Sequence, residues 1–358
     1  MKDPHLLLIR FSSLGDVAII VPVIRCLYKT YPRLKITFVS RPHFAPLFQE
    51  FENFNFYPTD FNCRHKGIKG MWTLFQELKT TPFSAVADLH SVLRTHLLNI
   101  FFRLYGYKVK SIDKGRMEKK ALTRAKNKKF QPLTPTSYRY ADVFRKLGFP
   151  ISFEQHEFPE KKELPTSLLP LFQTSERKWI GISPFAAHPG KMYPLDLMQQ
   201  IINYLQKDYQ IFLFGAGAKE KDRLEVWEKA YKNVYSTAGK INLRKQIDLM
   251  AYLDLMISMD SANGHLAANT GIRVLTLWGI THPFCGFSPF NQPLDHTLTL
   301  DRAQYPLIPT SVYGTDVPPD YKDAFRSLDP KTVIEKILEL LNGERAIHRR
   351  NPLPNDCW

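Results

Sequence analysis

Residues His5–Phe11 read HLLLIRF, an apolar run with no alternation. A strand with one wet face alternates polar and apolar residues. A run that is apolar throughout belongs to a parallel strand covered on both faces. The turn SSLGD (Ser12–Asp16) follows. Val17–Tyr31 then places Ile20, Ile24, Leu27, Tyr28 and Tyr31 at helical spacing, and KITFVS (Lys35–Ser40) reads as the next strand. Strand, turn, helix, strand is a βαβ unit, which commits this part of the chain to a parallel α/β sheet. Pro22 has no N–H to donate, so the helix is expected to kink or to start late.

The pattern continues with the strand SAVADLH, which ends near Asp88 and His90, and breaks at Glu154–Arg177, rich in Pro, Glu and Lys. It then restarts. KWIGISPF, QIFLFG, LMISMD and VLTLWG are strands, interleaved with helices over Leu195–Lys207, Glu220–Tyr231, Leu243–Tyr252 and Ala262–Asn269. A chain of 358 residues suits two such domains. We expect residues 1–165 and 166–328 to form two Rossmann-like parallel-sheet domains facing a central cleft. The helix within 329–343 has Pro at its start and Gly at its end. Residues 344–358 read as a tail, and 280–328 as a proline-rich loop. Ligands of open α/β sheets bind beyond the carboxyl ends of the strands, so candidate sites are judged by that position.

Composition removes several classes. The four cysteines form no C-x-x-C pair and read as isolated reduced thiols, which fits a cytoplasmic protein. The amino terminus lacks the pattern of a signal peptide, and no run approaches the roughly 18–20 apolar residues of a membrane span. Leu97–Leu104 is apolar but short and contains Arg103; it reads as a buried helix or one that touches a membrane surface. The net charge of +15 attracts anions without choosing among nucleic acid, acidic lipid and phosphorylated sugar. H-E-x-x-H, G-x-S-x-G and D-x-D are all absent, so no metal is indicated.

Five segments carry chemistry. In SSLGD, Gly15 allows close backbone approach, and Asp16 is either a general base or an acid satisfying a helix end. In FAAHPGKMYP (Phe185–Pro194), Lys191 is either a phosphate-binding ammonium or a solvated loop lysine; the P-loop spacing is absent. FGAGAKEKD (Phe214–Asp222) lacks the third glycine of a dinucleotide fingerprint and reads as a tight turn. MDSANGHLAANTG (Met259–Gly271) ends a buried strand at Asp260 and opens a helix with Ser261 and Ala262, whose N–H groups suit a diphosphate. His265 lies one turn in and is either ligand-facing or a core histidine. The stretch Arg103–Lys129 is strongly basic; it reads as a solvated face or an anion site, and no nucleic-acid motif accompanies it.

Together, LLLIRFSSLGDVAIIVPVIRCL, ADLHSVLR, GISPFAAHPGKMYP and MDSANGHLAANTGIRVLTLWGITHP resemble the bacterial lipopolysaccharide heptosyltransferases, glycosyltransferase family 9. The resemblance implies a GT-B fold, with the second domain binding the donor and the C-terminal helix packing back on the first. It implies metal-independent, inverting transfer of heptose from an ADP-sugar to a Kdo or heptose hydroxyl on lipid A–core. It requires no cofactor. The partners it implies are a nucleotide sugar, an anionic glycolipid and the cytoplasmic face of the inner membrane. Nucleic acid is not among them.

On this resemblance Asp16 is the catalytic base and Lys191 neutralises the leaving diphosphate. Asp260, Ser261, Ala262 and His265 hold the donor, with Gly15, Ala186, Ala187, Gly215, Gly217 and Ile241 beside them. The resemblance carries no acceptor residues onto the basic stretch; from charge alone, Arg116, Lys119, Lys120 and Arg124 are read as the site for acceptor phosphates, with Ser13, Asp88 and His90 as further acceptor candidates. Two departures bear on the donor: alanines 186 and 187 replace hydroxyl residues often found there, and Gly217 replaces an acidic residue. A GT-B epimerase or hydrolase, and a non-catalytic binder of anionic polymer through residues 103–129, are the alternatives.

Overall fold

The computed structural model describes residues 3–173 and 175–343; the expected tail, 344–358, lies outside the described residues. The chain forms two compact units. The first comprises the chain up to Arg116 together with Thr134–Glu157. The second comprises Met117–Leu133 and the chain from Phe158 onward. The first-domain expectation of one continuous stretch thus misses an excursion: residues 117–133 pack with the second unit.

The first unit opens with β1 (His5–Ile9), α1 (Leu14–Ala18), α2 (Ile20–Thr30), β2 (Lys35–Ser40) and β3 (Phe54–Pro58). It continues with α3 (Gly67–Leu78), β4 (Ala85–Asp88), α4 (Leu93–Leu104), β5 (Val109–Ser111) and, after α5 (Arg116–Thr123), which lies in the second unit from Met117 on, α6 (Thr136–Leu147). The five strands are all parallel, in the order β3-β2-β1-β4-β5. Leu6–Ile9 are completely buried, as the unalternating run demands. The helix expected over 17–31 breaks at Ile19, and Pro22 falls in the first turn of α2. A missing N–H there costs no intrahelical bond. The chain leaves β1 toward β2 and β3 on one side and later adds β4 and β5 on the other. The switch point lies between β1 and β4.

The second unit contains β6 (Trp179–Ser183), α7 (Leu195–Leu205), β7 (Gln210–Leu213), α8 (Gly217–Ala230), β8 (Val234–Ser236) and α9 (Leu243–Met250). Then come β9 (Leu255–Met259), α10 (Ala262–Asn269), β10 (Val274–Trp278), β11 (Thr297–Thr299) and α11 (Pro330–Asn342). The sheet, again parallel, has the order β11-β10-β9-β6-β7-β8, so its switch point lies between β6 and β9.

Helix α11 packs within the second unit. Val333, Ile337, Leu340 and Leu341 close the second unit's own core, against α7 and β9. Lys178 Nζ also donates to the Leu341 carbonyl at 2.7 Å. The stretch read as a linker is partly anchored too. Phe158 lies against Gly271, and Phe172 packs edge-on to Trp179 and Phe212.

Candidate functional site

At the switch point of the first sheet, the chain leaving β1 carries Arg10, and α1 carries Asp16. Arg10 Nη2 lies 2.6 Å from Asp16 Oδ2. The arginine also donates to the Leu89 carbonyl at 2.5 Å, so it ties the end of β1 to the end of β4. Its guanidinium sits 5.7 Å from the ring centroid of the fully buried Tyr140, whose hydroxyl donates to the Asp16 carbonyl. Ser13 Oγ donates to the same Asp16 oxygen at 2.8 Å, and the Ser13 N–H reaches it at 3.4 Å, as in a capping box. Asp16 satisfies the start of α1, and its carboxylate is also paired with the buried Arg10. Gly15 is the second residue of α1.

Asp88 and His90 take up different roles from the acceptor contacts expected of them. Asp88 is completely buried. One of its oxygens accepts from the N–H groups of His90 and Ser91; the other accepts from Asn99 Nδ2 and Ser111 Oγ. It is the knot of the loop after β4. His90 is buried, and its Nδ1 accepts the Phe11 N–H at 3.3 Å. Burial, and then Arg10 and Lys114, push its pKa down to about 3. A protonated ring would lose the Phe11 bond, so His90 is a neutral brace and brings no positive charge to an anion.

Lys114 lies within electrostatic reach of the Arg10–Asp16 pair. Burial, then Arg10 and Arg116, lower its pKa, while Asp16 and Asp88 act in the opposite direction. Sequence reasoning passed over Arg10 and Tyr140, and took Lys114 only as one cation of the basic stretch. An arginine at the end of an otherwise apolar, buried strand was the available signal.

The basic residues beyond Arg116 belong to the second unit. Lys119 Nζ lies 4.5 Å from the centroid of the Phe287 ring. Arg124 Nε donates to the Asn127 carbonyl. Lys120 is exposed. Lys128 is spent on the carbonyls of Leu122 and Pro309, and burial followed by Arg302 pulls its pKa down to about 8. These cations do not converge with Asp16 into one cluster of the first unit.

At the switch point of the second sheet, Lys191 and Asp260 form an ion pair of 2.7 Å. Asp260 immediately follows β9, and Lys191 follows β6 through a short turn at Pro189–Lys191. The surroundings are tightly built. Ile280 N–H donates to the Gly190 carbonyl, and a Cβ on Gly190 would fall 2.5 Å from Ile280 Cδ1. Within the 280–328 loop, Ser311 Oγ accepts from the N–H groups of Tyr313, Gly314 and Thr315. That turn lays Gly314, at φ +78°, along the lysine; a Cβ there would meet Lys191 Cγ at 2.6 Å. The loop thus holds the Lys191 side chain in place.

Helix α10 starts immediately after Asp260. Ser261 is its N-cap residue, yet no side-chain bond from Ser261 caps the helix. Its hydroxyl meets Ser258 Oγ at 3.1 Å instead. Asn263 Nδ2 donates to Ser183 Oγ and so joins α10 to the end of β6. Ala262 is the first helical residue, and His265 is buried within the helix. Cys285 reports the charges around it. Burial raises its thiol to about 12, with Asp260, Lys191 and Lys119 all acting on it.

The other expected donor residues are distributed along the same sheet edge. Ala186 is half-buried against the second core, and Ala187 is exposed. Gly217 opens α8 at φ +77°, and a Cβ there would meet nothing within 4 Å. Gly215 is small for a different reason: a Cβ would fall 2.9 Å from Leu224 of α8. Ile241 is half-buried in the turn before α9, and its carbonyl accepts from Gln246.

The chain matches the family model of glycosyltransferase family 9 (heptosyltransferase) over residues 71–306. It is 24% identical over 308 residues to the lipopolysaccharide core heptosyltransferase OpsX of Haemophilus influenzae, covering 82% of this chain and 84% of that protein. Among solved structures, a family 9 glycosyl transferase of Veillonella parvula superposes with a TM-score of 0.69 at 19% identity, covering 95% of this chain and 98% of that one. The E. coli heptosyltransferase WaaC with ADP superposes with a TM-score of 0.65 at 16% identity, covering 94% and 99%.

Proposed function

Because the chain belongs to glycosyltransferase family 9, and is therefore a sugar-transferring enzyme of GT-B fold, we propose that it moves a heptose from an ADP-sugar to an inner-core hydroxyl of a lipopolysaccharide acceptor. The observation that carries this reading is the placement of two ion pairs. Arg10–Asp16 and Lys191–Asp260 each sit at the switch point of a parallel sheet, where such folds bind ligands.

In the proposed reaction the acceptor oxygen attacks the anomeric carbon and gives its proton to the Asp16 carboxylate. The bond from that carbon to the diphosphate oxygen breaks, its electron pair stays with the diphosphate, and ADP leaves with inversion. Lys191 exchanges part of its pairing with Asp260 for the charge that grows on the leaving group. A cation placed in advance is worth most at that stage. The uncapped first turn of α10 offers N–H groups to the same diphosphate. Asp260, freed from its lysine, accepts from sugar hydroxyls. Lys114, within electrostatic reach of Asp16, would meet a phosphate or carboxylate on the acceptor. The sequence so written uses neither metal nor cofactor. A glycolipid acceptor also brings the enzyme to a membrane surface.

The test is ADP release by the purified chain with ADP-heptose, with and without a Kdo-bearing lipid A acceptor. Release that needs both substrates is expected. Release at the same rate from donor alone would transfer the case to a hydrolase or epimerase. Binding of oligonucleotide with steep salt dependence, indifferent to Asp16, would favour the anion-binding alternative.

A further inference from the structure

Helix α4 is apolar on two opposite faces. Thr95, Leu98, Asn99 and Phe102 are buried beneath it. At 100° per residue, Leu93, Leu97, Ile100 and Leu104 fall within one narrow stripe on the far side. Leu93 is 85% exposed and Leu104 is 79% exposed. An ordinary surface helix is polar on the side away from its core. The stripe runs about 16 Å along the helix at 1.5 Å per residue.

The neighbouring helix extends it. α3 packs against α4 and exposes Ile68 and Trp72, one turn apart. The Trp72 ring meets Phe101 of α4 edge-on at 5.0 Å, so the two exposed apolar groups form one surface. Tyr105, also exposed, closes its far end against Lys79. Contiguous exposure of this kind on a folded chain marks a binding surface, whereas single exposed leucines do not.

Charge selects the occupant. Residues 61–110 contain eight lysines and arginines against two acids, Glu77 and Asp88. Neither acid presents a free charge. Glu77 is bound by Tyr57, Arg64 and His65, and Asp88 is completely buried. Arg94 and Arg103 flank the α4 stripe on its two sides, and Lys66 and Lys69 are exposed beside Ile68. Among the described residues no helix is long and apolar enough to cross a membrane. An apolar stripe with cationic edges, a tryptophan and a tyrosine at its margin is the composition of a helix that lies in the headgroup layer.

We propose that the α3–α4 face docks on an anionic phospholipid bilayer, with Leu93, Ile100, Leu104, Ile68 and Trp72 entering the headgroup boundary. The argument draws on the glycolipid-acceptor reading only for the reason a membrane is at hand. Vesicles of plain phospholipid contain neither donor nor acceptor, so docking and transfer succeed or fail separately.

The experiment is co-sedimentation of the full chain with phosphatidylcholine vesicles, with and without phosphatidylglycerol. Binding is expected to the anionic vesicles and to weaken with salt. The combined Leu93→Ser, Ile100→Ser and Leu104→Ser variant is expected to bind about tenfold or more weakly. Because these side chains are exposed, it keeps its circular dichroism and its melting temperature. A Val226→Ser and Leu294→Ser control, exposed residues of the second unit, binds like the wild type. Should the triple variant fold poorly, brominated lipid supplies the second measurement: it quenches wild-type tryptophan emission, and Trp72→Phe removes most of that quenching. No binding to anionic vesicles, undiminished binding by a folded triple variant, or quenching unaffected by Trp72→Phe each overturns the proposal. So does self-association abolished by the triple variant without any vesicle binding, which would make the face an interface between copies.

Discussion

The two sheets carry matching ion pairs, but the pairs are exposed the opposite way round. In the first unit the arginine is the sheltered member: Arg10 and Asp16 side chains are 7% and 25% exposed. In the second the acid is sheltered: Lys191 and Asp260 are 13% and 5% exposed. A buried charge is held in place by its partner and by the desolvation cost of losing it. The more exposed member is the one open to solvent first, and in the second pair Asp260 becomes available only when its lysine turns to another partner. The first unit therefore exposes a carboxylate and the second an ammonium, the charges that the proposed transfer assigns to the acceptor and to the leaving group. The difference matters more than the shared fold, because the parallel sheets alone do not say which unit supplies the base.

The comparison breaks most visibly at Asp16. Asp16→Asn keeps the size of the group and removes its basicity; transfer should fall about 10²–10⁴-fold, the usual contribution of a general base. ADP binding, measured calorimetrically, should be unchanged. A comparable loss of ADP affinity would mean that the two units do not divide the substrates in this way.

Next in size is Lys191→Ala. Losing one preplaced charge-stabilising group costs roughly 2.7–4 kcal/mol of transition-state stabilisation, or about 10²–10³ in kcat. It also leaves the buried Asp260 without its cation, so a thermal melt should accompany the assay. An unaltered kcat in a folded protein would remove the ammonium from the mechanism.

These side chains were visible in the sequence, and their pairing was not. Asp16, Lys191 and Asp260 stand out because each follows an apolar run that can only be a buried strand. Arg10 was hidden in such a run, where hydrophobic periodicity gives it no weight. Asp88 and His90 show the converse. Polar residues at a strand end resemble site residues, yet their bonds to Asn99, Ser111 and Phe11 show a loop holding itself together. The fold was legible because parallel strands announce themselves by unbroken apolar runs. The path of residues 117–133 was not, since a basic segment has no periodicity that names its partner. It is anchored by scattered contacts such as Leu122 and Leu133 beside Cys285 and Val312. The same limit applies to Gly314: only the fold shows that a glycine 123 positions from Lys191 lies along its side chain.

Gly314 gives a smaller and sharper test of how the second pair is presented. Gly314→Ala adds a methyl group against Lys191 and strains a backbone at φ +78°, a conformation that costs a non-glycine residue on the order of 1–3 kcal/mol. We expect about a tenfold loss of kcat, set by displacement of one charge, with the first unit's stability unaffected. Equal activity would show that the loop packs beside the lysine without positioning it.

The smallest effect at neutral pH emerges only in acid, and it should separate the units. His90 and His156 of the first unit are held down to about 3, and His282 of the second to about 4, in each case chiefly by burial. His5 and His43 shift downward in the first unit, and His296 in the second. A histidine with a lowered folded pKa stays neutral in the native state while the unfolded chain takes up a proton near 6.5. Its contribution is complete above pH 6.5 and is lost as pH falls toward the folded value. Each such histidine changes stability by about 1.4 kcal/mol per pH unit inside that window. The first unit, with more of them, should open first between pH 6 and 4. Hydrogen exchange resolved by segment would show it, with β1 and β4 losing protection before β6 and β9. His90→Gln should flatten the first unit's slope by about one proton. If the second unit opens first, the buried histidines of the first are not what limits it, and the neutral brace assigned to His90 loses its support.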